Sequence, residues 1–403
     1  MVLDSGIRIV LKATDFLDGD LSFSAFAWQG LSQLPPDQLM GGRLSLTVAE
    51  ELGWAGIPRE QLLDLLAGLK LSTNPSIGAY NRSVSGDCSP SDLEPLLQLV
   101  HRLFTQHVTI DDDAMDRLAT LRAILRESIT NRDQDPDGFF GRKVSEVNAS
   151  SHPCYRPLEI ADVDALGDIS VAQKTGEIFD AAFNADVGGW TLVMVGNLVE
   201  EEILPLLLQY FGSMAAAGAA SATTKTTTTT TTETSAVGTT TTTVTETTTS
   251  PASAQPAVAS GSAVFAAERD GIKSLDVKFP DGSTDVKVER KMLGEPRSRA
   301  CITFKAAPIE RAASKLDSLR LLTEIDLAVG ILEKCLRDIL RFDKNGVYDV
   351  SAGTTYGTSP PVLNEPLNGL LQIDFDCAPE RQLELIQAMF DEFEKRVRGD
   401  TRT

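Results

Sequence analysis

The 403-residue sequence lacks any long run of uncharged apolar residues, and it has only three histidines and five cysteines. A transmembrane helix needs about 20 apolar residues, so we expect no membrane partner. The cysteines are scattered, odd in number and without CxxC spacing, which argues against a disulfide framework or a zinc knuckle. Asp4, Arg8 and Lys12 interrupt the apolar N-terminal stretch, unlike a secretory signal. We therefore expect a soluble intracellular protein, in the cytoplasm or in an organelle such as a plastid or mitochondrion.

Positive charge is scarce and unevenly distributed. The chain has 37 Lys and Arg against 57 Asp and Glu, a net charge of −20, which argues against binding to a phosphate backbone, so no nucleic-acid partner is expected. Residues 1–213 hold 15 basic and 31 acidic side chains, whereas residues 264–403 hold 21 and 24. The acidic first region would favour basic or neutral partners by long-range steering, or it is simply a solubilising surface.

A threonine-rich segment divides the chain. Of the 27 residues from Thr223 to Thr249, 19 are threonine, and the flanks are rich in Ala, Gly, Ser and Pro. Such a composition has little to bury against the entropy of ordering, which predicts a disordered, rather extended linker at 214–263. An O-glycosylated stalk would need a secretory context. The linker separates a first predicted domain, 1–213, from a second, 264–403.

Both predicted domains combine strands with amphipathic helices. Before the linker, alternating or continuous apolar runs predict strands at 7–12, 21–28 and 191–198. Apolar residues at every third or fourth position predict helices over 43–53, 59–69, 93–104, 113–130 and 200–214. After the linker, the same patterns predict strands at 301–306, 347–356 and 369–377, and helices over 318–341 and 380–398. Two α+β units in tandem suggest an internal structural duplication.

Several segments, taken in order, resemble one family of peptidases. The segments are GIRIVLKATDF with DLSFSAFAWQGLS, then STNPSIGAYNRSVSGDCSPSDLEPLLQLVHRLFTQ, WTLVMVGNLVEEEILPLLLQYFGSM, EPRSRACITFKAAP and LRFDKNGVYDVSAGTTYG. They are similar to pitrilysin/insulinase-type zinc metallopeptidases of the PqqL-like branch. The resemblance implies two tandem metallopeptidase-like α/β sandwich domains, each an antiparallel-rich sheet packed by helices. It also implies a role in a peptide-enclosing chamber formed by two similar halves.

The zinc motif of that family is missing from this chain. In the family, one half carries H-x-x-E-H on a helix, where the histidines bind zinc and the glutamate activates water. The corresponding segment here, LPPDQLMGGRLSLTVAEELGW, contains Glu50 and Glu51 but no histidine, and two carboxylates alone make a poor zinc site. We therefore expect no metal in this chain, no activity of the chain alone, and zinc in a catalytic half that lies in the same longer polypeptide or in a separate one.

The resemblance assigns two residues to the chamber. In relatives, an arginine and a tyrosine seven positions apart, at a helix end and a strand start, project from the non-catalytic half; here they are Arg341 and Tyr348. By resemblance, Arg341 contacts the substrate backbone and Tyr348 donates a hydrogen bond to the oxyanion of the tetrahedral intermediate. The alternative is structural: Arg341 caps a helix C-terminus, Tyr348 fills a strand position, and Gly346 forms the turn between them.

Two functions follow from the resemblance. The first is the non-catalytic half of a zinc metalloendopeptidase, which encloses peptides and supports catalysis without zinc ligands. The alternative is a free-standing inactive homologue that binds peptides or assembles a complex. The second unit is shorter than the first, so we expect a domain truncated at its C-terminus.

Overall fold

The computed structural model is a mixed α+β molecule, as the sequence predicts. It describes residues 1–17, 19–184, 189–212, 214, 225–235, 238–248, 272–275, 277–289, 296–309, 315–356 and 367–397. In these ranges a five-stranded and a three-stranded sheet each carry helices on a buried face, which confirms the predicted class of antiparallel-rich sheets packed by helices.

The first sheet contains five strands in the order β1-β5-β2-β4-β3. The strands are β1 (Arg8–Ala13), β2 (Leu21–Trp28), β3 (Asn74–Ile77), β4 (Asn81–Cys88) and β5 (Thr191–Gly196). Only β1 and β5 run parallel; the other three neighbouring pairs are antiparallel. In β2, buried residues alternate with more exposed ones, so one face of the sheet is buried.

Eight helices accompany this sheet. They are α1 (Leu39–Leu52), α2 (Arg59–Leu66), α3 (Leu93–Thr105), α4 (Asp112–Asn131), α5 (Pro136–Asn148), α6 (Ile160–Asp164), α7 (Ile169–Asn184) and α8 (Glu200–Phe211). Apolar residues of α3, α7 and α8 pack with the inward-facing strand residues into one core, in which Phe104, Phe183 and Trp190 form an aromatic cluster. A smaller core joins α1 to α4.

The second sheet has three antiparallel strands in the order β8-β10-β9. The strands are β8 (Ser298–Ile309), β9 (Val347–Tyr356) and β10 (Leu367–Cys377), and two helices, α9 (Lys315–Arg337) and α10 (Gln382–Val397), cover one face. Val350, Ile373 and Phe375 of the sheet pack against Leu336 and Leu385 of the helices. The remaining face of this sheet is turned toward α5 of the first unit.

The threonine-rich segment contributes a separate two-stranded sheet. Of the predicted linker, residues 215–224, 236–237 and 249–263 lie outside the described residues. Between them, β6 (Lys225–Ser235) pairs antiparallel with β7 (Gly238–Thr248), and with no strand of the two larger sheets in the described part of the chain. β-branched threonine suits a strand, yet an isolated two-stranded hairpin is marginal in water. The disorder of 214–263 and the domain limits at 213 and 264 stay predictions.

Most predicted elements agree with the structure to within a few residues, but two long helices were missed. Helices α5 and α7 had no sequence assignment, and α5 contains Gly138 and Gly141, which obscure a helical pattern. Leu275 lies after residue 264, the predicted start of the second domain, yet it packs into the core of the first sheet. Its backbone N–H donates to the hydroxyl of Tyr80 at 3.3 Å.

Candidate functional site

The candidate site lies where α9 ends and β9 begins. Helix α9 continues into one turn of π-helix, Asp338–Asp343, in which the N–H of Lys344 donates to the carbonyl of Ile339 at 2.8 Å. Such π-helical turns occur frequently at functional sites. Leu340 within this turn is fully buried in the core of the second unit, so the turn is anchored, while Arg341 next to it is half-buried.

Asn345 and Gly346 share the tight connection to β9. The sequence assigns the turn to Gly346, but the left-handed backbone conformation belongs to Asn345, with φ at 45°. Asparagine tolerates this conformation better than most residues. Gly346 serves a different purpose, because a Cβ there would lie only 2.5 Å from Cδ2 of Leu385 on α10. The glycine therefore permits close approach of the turn to α10.

The structure brings Arg341 and Tyr348 together at the surface. The Cζ atom of Arg341 lies 5.1 Å from the ring centre of Tyr348, within the range of a cation–π contact. Tyr348 is 84% exposed, so its side chain does not fill a core position, and its hydroxyl is accessible to a ligand. The sequence predicted both residues but could not establish their contact, which depends on the exact geometry of the turn.

Phe342 is a third member of this cluster that sequence reasoning missed. The guanidinium carbon of Arg341 lies 5.4 Å from its ring centre, and the ring is 65% exposed. Arg341 is thus flanked by two aromatic rings, which restrict its rotamers. The signal available in the sequence was an aromatic residue directly after the arginine, at the polar end of a helix. We call Arg341, Phe342 and Tyr348 the chamber cluster, after the chamber that the family resemblance implies.

The structure gives the helix-capping role to another arginine. The carbonyls of Lys344 and Asn345, which end the helical segment, accept hydrogen bonds from the guanidinium of Arg381 at 3.1 Å and 3.0 Å. Arg381 precedes α10 and so joins the two helix ends of the second unit. Arg381 therefore caps this helix end, and the guanidinium of Arg341 lies against the rings of Phe342 and Tyr348 instead.

A fixed ion-pair network neutralises the acidic residue next to Tyr348. Arg337 donates from Nε to Asp349 at 2.9 Å and from Nη2 to Glu333 at 2.7 Å. The hydrogen bond from Arg337 is the main cause that lowers the pKa of Asp349, and Arg341 adds a smaller effect in the same direction. Glu333 also accepts the N–H of Ala352 at 3.2 Å, which ties α9 to β9. Because Asp349 is already paired with Arg337, the guanidinium of Arg341 has no short ion pair with it.

The residues at the position of the family's metal motif do not fit zinc. They lie on α1, where Glu51 is 3.3 Å from the guanidinium of Arg59 and burial raises the pKa of Glu50. The three histidines lie elsewhere and make other contacts: His101 with the carbonyl of Tyr210, His107 with Asp180, and His152 with the N–H of Cys154. Within the described ranges, no three His, Cys, Asp or Glu side chains are grouped so as to hold a metal ion.

None of the helices that the structure describes combines the length and the apolar character needed for a bilayer span.

The described residues form two tandem α+β units with no group of side chains suited to a metal ion, and the second unit carries an Arg–Tyr contact at its surface. A family model described as the peptidase M16 inactive domain matches residues 190–401, more than half of the chain. The chain therefore belongs to the peptidase M16 family, and the sequence resemblance to pitrilysin/insulinase-type peptidases is confirmed.

Known proteins resemble the chain in sequence or in fold. The chain is 25% identical over 397 residues to a "Zinc protease PQQL-like" of Arabidopsis thaliana, covering 97% of this chain and 32% of the relative. The periplasmic protease PqqL from Escherichia coli superposes with a TM-score of 0.66 at 18% identity, over 99% of this chain and 36% of that structure. The ferredoxin protease FusC, solved in complex with Arabidopsis ferredoxin, gives 0.61 at 16%, over 98% and 35%. The chain thus spans about a third of each relative's length.

Proposed function

We propose that this chain acts as the non-catalytic half of a zinc metalloendopeptidase, in which it forms one wall of a peptide-holding chamber. The observation that carries the proposal is the chamber cluster, in which the half-buried Arg341 contacts the exposed Tyr348, while the described residues contain no group suited to a metal ion. The match to a peptidase M16 inactive domain supports the same assignment. The zinc and the water-activating glutamate would come from a catalytic half, in the same longer polypeptide or in a partner.

Within this proposal the two residues have separate tasks. Arg341, held between two rings, donates to the carbonyl oxygens of the substrate backbone and fixes the peptide's position. Tyr348 donates its hydroxyl proton in a hydrogen bond to the oxygen that becomes negatively charged when water attacks the scissile carbonyl. A donor placed in advance at such an oxyanion contributes more to the transition state than to the bound substrate. Phe342 acts as a positioning residue for Arg341.

The alternative function is that of an inactive homologue that binds peptides or assembles a complex. Its support is the missing metal motif, which makes the chain inactive alone under either function. The compartment stays a prediction of the cytoplasm or an organelle.

Association with a zinc-bearing half distinguishes the two functions. We expect an antibody to this chain either to detect, in the source cell, a polypeptide well above 43.4 kDa, or to co-purify a separate polypeptide with the H-x-x-E-H motif. The immunoprecipitated material should cleave an unfolded peptide, and removal of zinc should abolish this cleavage. A band at the mass of the chain, assembled with unrelated proteins and without peptidase activity, would favour the alternative.

A further inference from the structure

A cleft of about 280 Å³ lies between α5 of the first unit and the second sheet. Its lining combines one side of the helix with the sheet face that α9 and α10 leave uncovered. The lining residues are Asp137, Phe140, Gly141, Val144, Ser145, Arg299, Ser351, Gln372 and Asp374. The volume is slightly below the range of about 300–1,000 Å³ that is usual for small-molecule sites, so the cleft has room for one long side chain.

Strand alternation explains why this cleft is polar. Ala300 and Ile373 point into the core, so their neighbours Arg299, Gln372 and Asp374 point to the opposite face of the sheet. Gln372 and Asp374 are half-buried and form the floor, whereas residues at the mouth are more exposed. Polar groups on a sheet face beneath a helix suit a polar ligand.

The positive charges beside the cleft are already engaged. Asp137 accepts hydrogen bonds from Arg297 at 3.1 Å and from Arg299 at 3.0 Å, and the guanidinium of Arg299 also lies 5.1 Å from the ring centre of Phe140. Both arginines are within 3.6 Å of Asp376 as well. These contacts hold α5 against β8 and leave no excess of positive charge in the cleft.

Asp374 on the floor is the carboxylate that still has capacity for a cation. Its hydrogen-bond partners are uncharged: the amide of Gln372 donates at 2.7 Å, and the thiol of Cys301 donates as well. Among the described residues, no ion pair of 4 Å or less joins Asp374 to a basic side chain. A lysine or arginine that enters the cleft would supply that partner in a charge-assisted hydrogen bond.

Gly141 leaves the space above this carboxylate open. It lies in the interior of α5, where glycine is unfavourable relative to alanine, and a Cβ at this position would meet nothing within 4 Å. A larger side chain here would enter the cleft without disturbing the packing of the helix.

The cleft is within reach of a peptide at the chamber cluster. Ser351 at its mouth and Tyr348 lie on the same strand, three residues apart, which corresponds to roughly 10 Å at about 3.3 Å per residue. β9 is an edge strand of the second sheet, with the end of α9 and Arg341 on one face and the cleft on the other, so an extended peptide that crosses this edge brings a side chain to the cleft while its backbone contacts Arg341.

We propose that this cleft is a subsite for a basic side chain of an extended peptide, with Asp374 as its carboxylate partner; the identity of the ligand as a peptide rests on the proposed function. The subsite would make peptide binding depend on the position of a lysine or arginine. It requires no residue of the chamber cluster.

Two labelled peptides test the subsite on the intact chain. They share one flexible twelve-residue sequence and differ only at a central position, which is lysine in one and norleucine in the other. Fluorescence anisotropy at low salt should show the lysine peptide binding about tenfold more tightly. This preference should disappear in Asp374→Asn and in Gly141→Leu, which fills the cleft. It should persist in Gly330→Leu, where a second helix-interior glycine also has nothing within 4 Å.

Equal affinity for the two peptides, binding of neither, or a preference that survives in either cleft variant would overturn the subsite. These outcomes leave the proposed function standing, because association with a zinc-bearing half and the role of Tyr348 do not depend on a basic side chain. Conversely, a lysine preference without any zinc-bearing partner would remove the proposed function and retain the subsite as a peptide-binding site.

Discussion

At the scale of single residues, the role of an arginine in this chain depends on whether its guanidinium lies at the surface or in a core. Arg341 lies on exposed aromatic rings, whereas Arg82 on β4 is completely buried in the first unit. Arg82 donates to the carbonyls of Ala182 at 2.8 Å and Trp28 at 3.2 Å, and it packs over the ring of Trp190. It therefore joins β2, β4 and α7 through polar contacts that a hydrophobic side chain cannot make.

We expect Arg82→Ala to lower the free energy of unfolding by about 3 kcal/mol, because it leaves a cavity and buried carbonyls without their donor. Urea denaturation measures the loss. Arg59→Ala is the matched control: Arg59 is 62% exposed in its ion pair with Glu51, and its loss should cost less than about 0.5 kcal/mol. Equal losses in the two variants would show that Arg82 contributes no more than a surface charge.

Cys301 offers a test of burial on the cleft side of the second sheet. Burial, aided by the nearby Asp374, raises the pKa of the Cys301 thiol from 9.0 to about 12. Below pH 9 the thiol is protonated in both folded and unfolded chains, so stability is unaffected there. Between pH 9 and about 12 the unfolded chain loses this proton first, so the folded state loses stability as pH rises through that window.

The same shift predicts slow alkylation of Cys301. Iodoacetamide reacts with the thiolate, so at pH 9 the folded chain should react at Cys301 far more slowly than the urea-unfolded chain, with a rate that rises about tenfold per pH unit. Peptide mapping by mass spectrometry follows each cysteine separately. Alkylation of Cys301 at the same rate in both states would contradict the account of its burial.

At the scale of elements, the connection from α9 to β9 sets the position of the chamber cluster. The π-helical turn, the left-handed Asn345 and the close approach of Gly346 to α10 act together, and Arg381 holds the turn by its carbonyls. A small shift of this turn would separate Arg341 from Tyr348, since both rings and the guanidinium are attached directly to it.

We predict opposite effects for two glycine substitutions in the second unit. Gly346→Ala should destabilise by about 1–3 kcal/mol, because its Cβ would overlap Leu385, which has to shift. Gly330→Ala, on the exposed side of α9 with nothing within 4 Å, should stabilise by about 0.5–1 kcal/mol through helix propensity. Thermal unfolding shows whether each variant is less or more stable than the parent chain. A neutral or stabilising Gly346→Ala would refute the close approach. In a Leu385→Ala background, the penalty of Gly346→Ala should disappear.

At the scale of the whole molecule, periodicity predicted most strands and helices because their apolar residues face one of three cores. Strand β2 alternates so regularly that its predicted limits, 21–28, match the structure. Helix α5 could not be predicted in this way, because its role is to face the polar side of the second sheet rather than a core. The cleft between α5 and the second sheet arises from tertiary packing alone and has no signature in the sequence.

The candidate site shows the same division. The spacing of Arg341 and Tyr348 was readable from the sequence through a family resemblance, whereas Phe342 and Arg381 required the structure. Phe342 lacks a periodic pattern that would separate an exposed aromatic from a core residue. Arg381 acts across 36 residues of sequence on the carbonyl of Asn345, a distance that local patterns do not bridge.

The most direct test of the central claim is the turnover number of Tyr348→Phe in the assembly of this chain with a zinc-bearing half. Loss of one oxyanion donor should lower kcat about 10²-fold with little change in KM, because the hydrogen bond strengthens only in the transition state. Tyr155→Phe, an exposed tyrosine of the first unit, serves as the matched control and should keep the parent rate. An unchanged kcat in Tyr348→Phe would contradict the claim that this half supports catalysis through Tyr348.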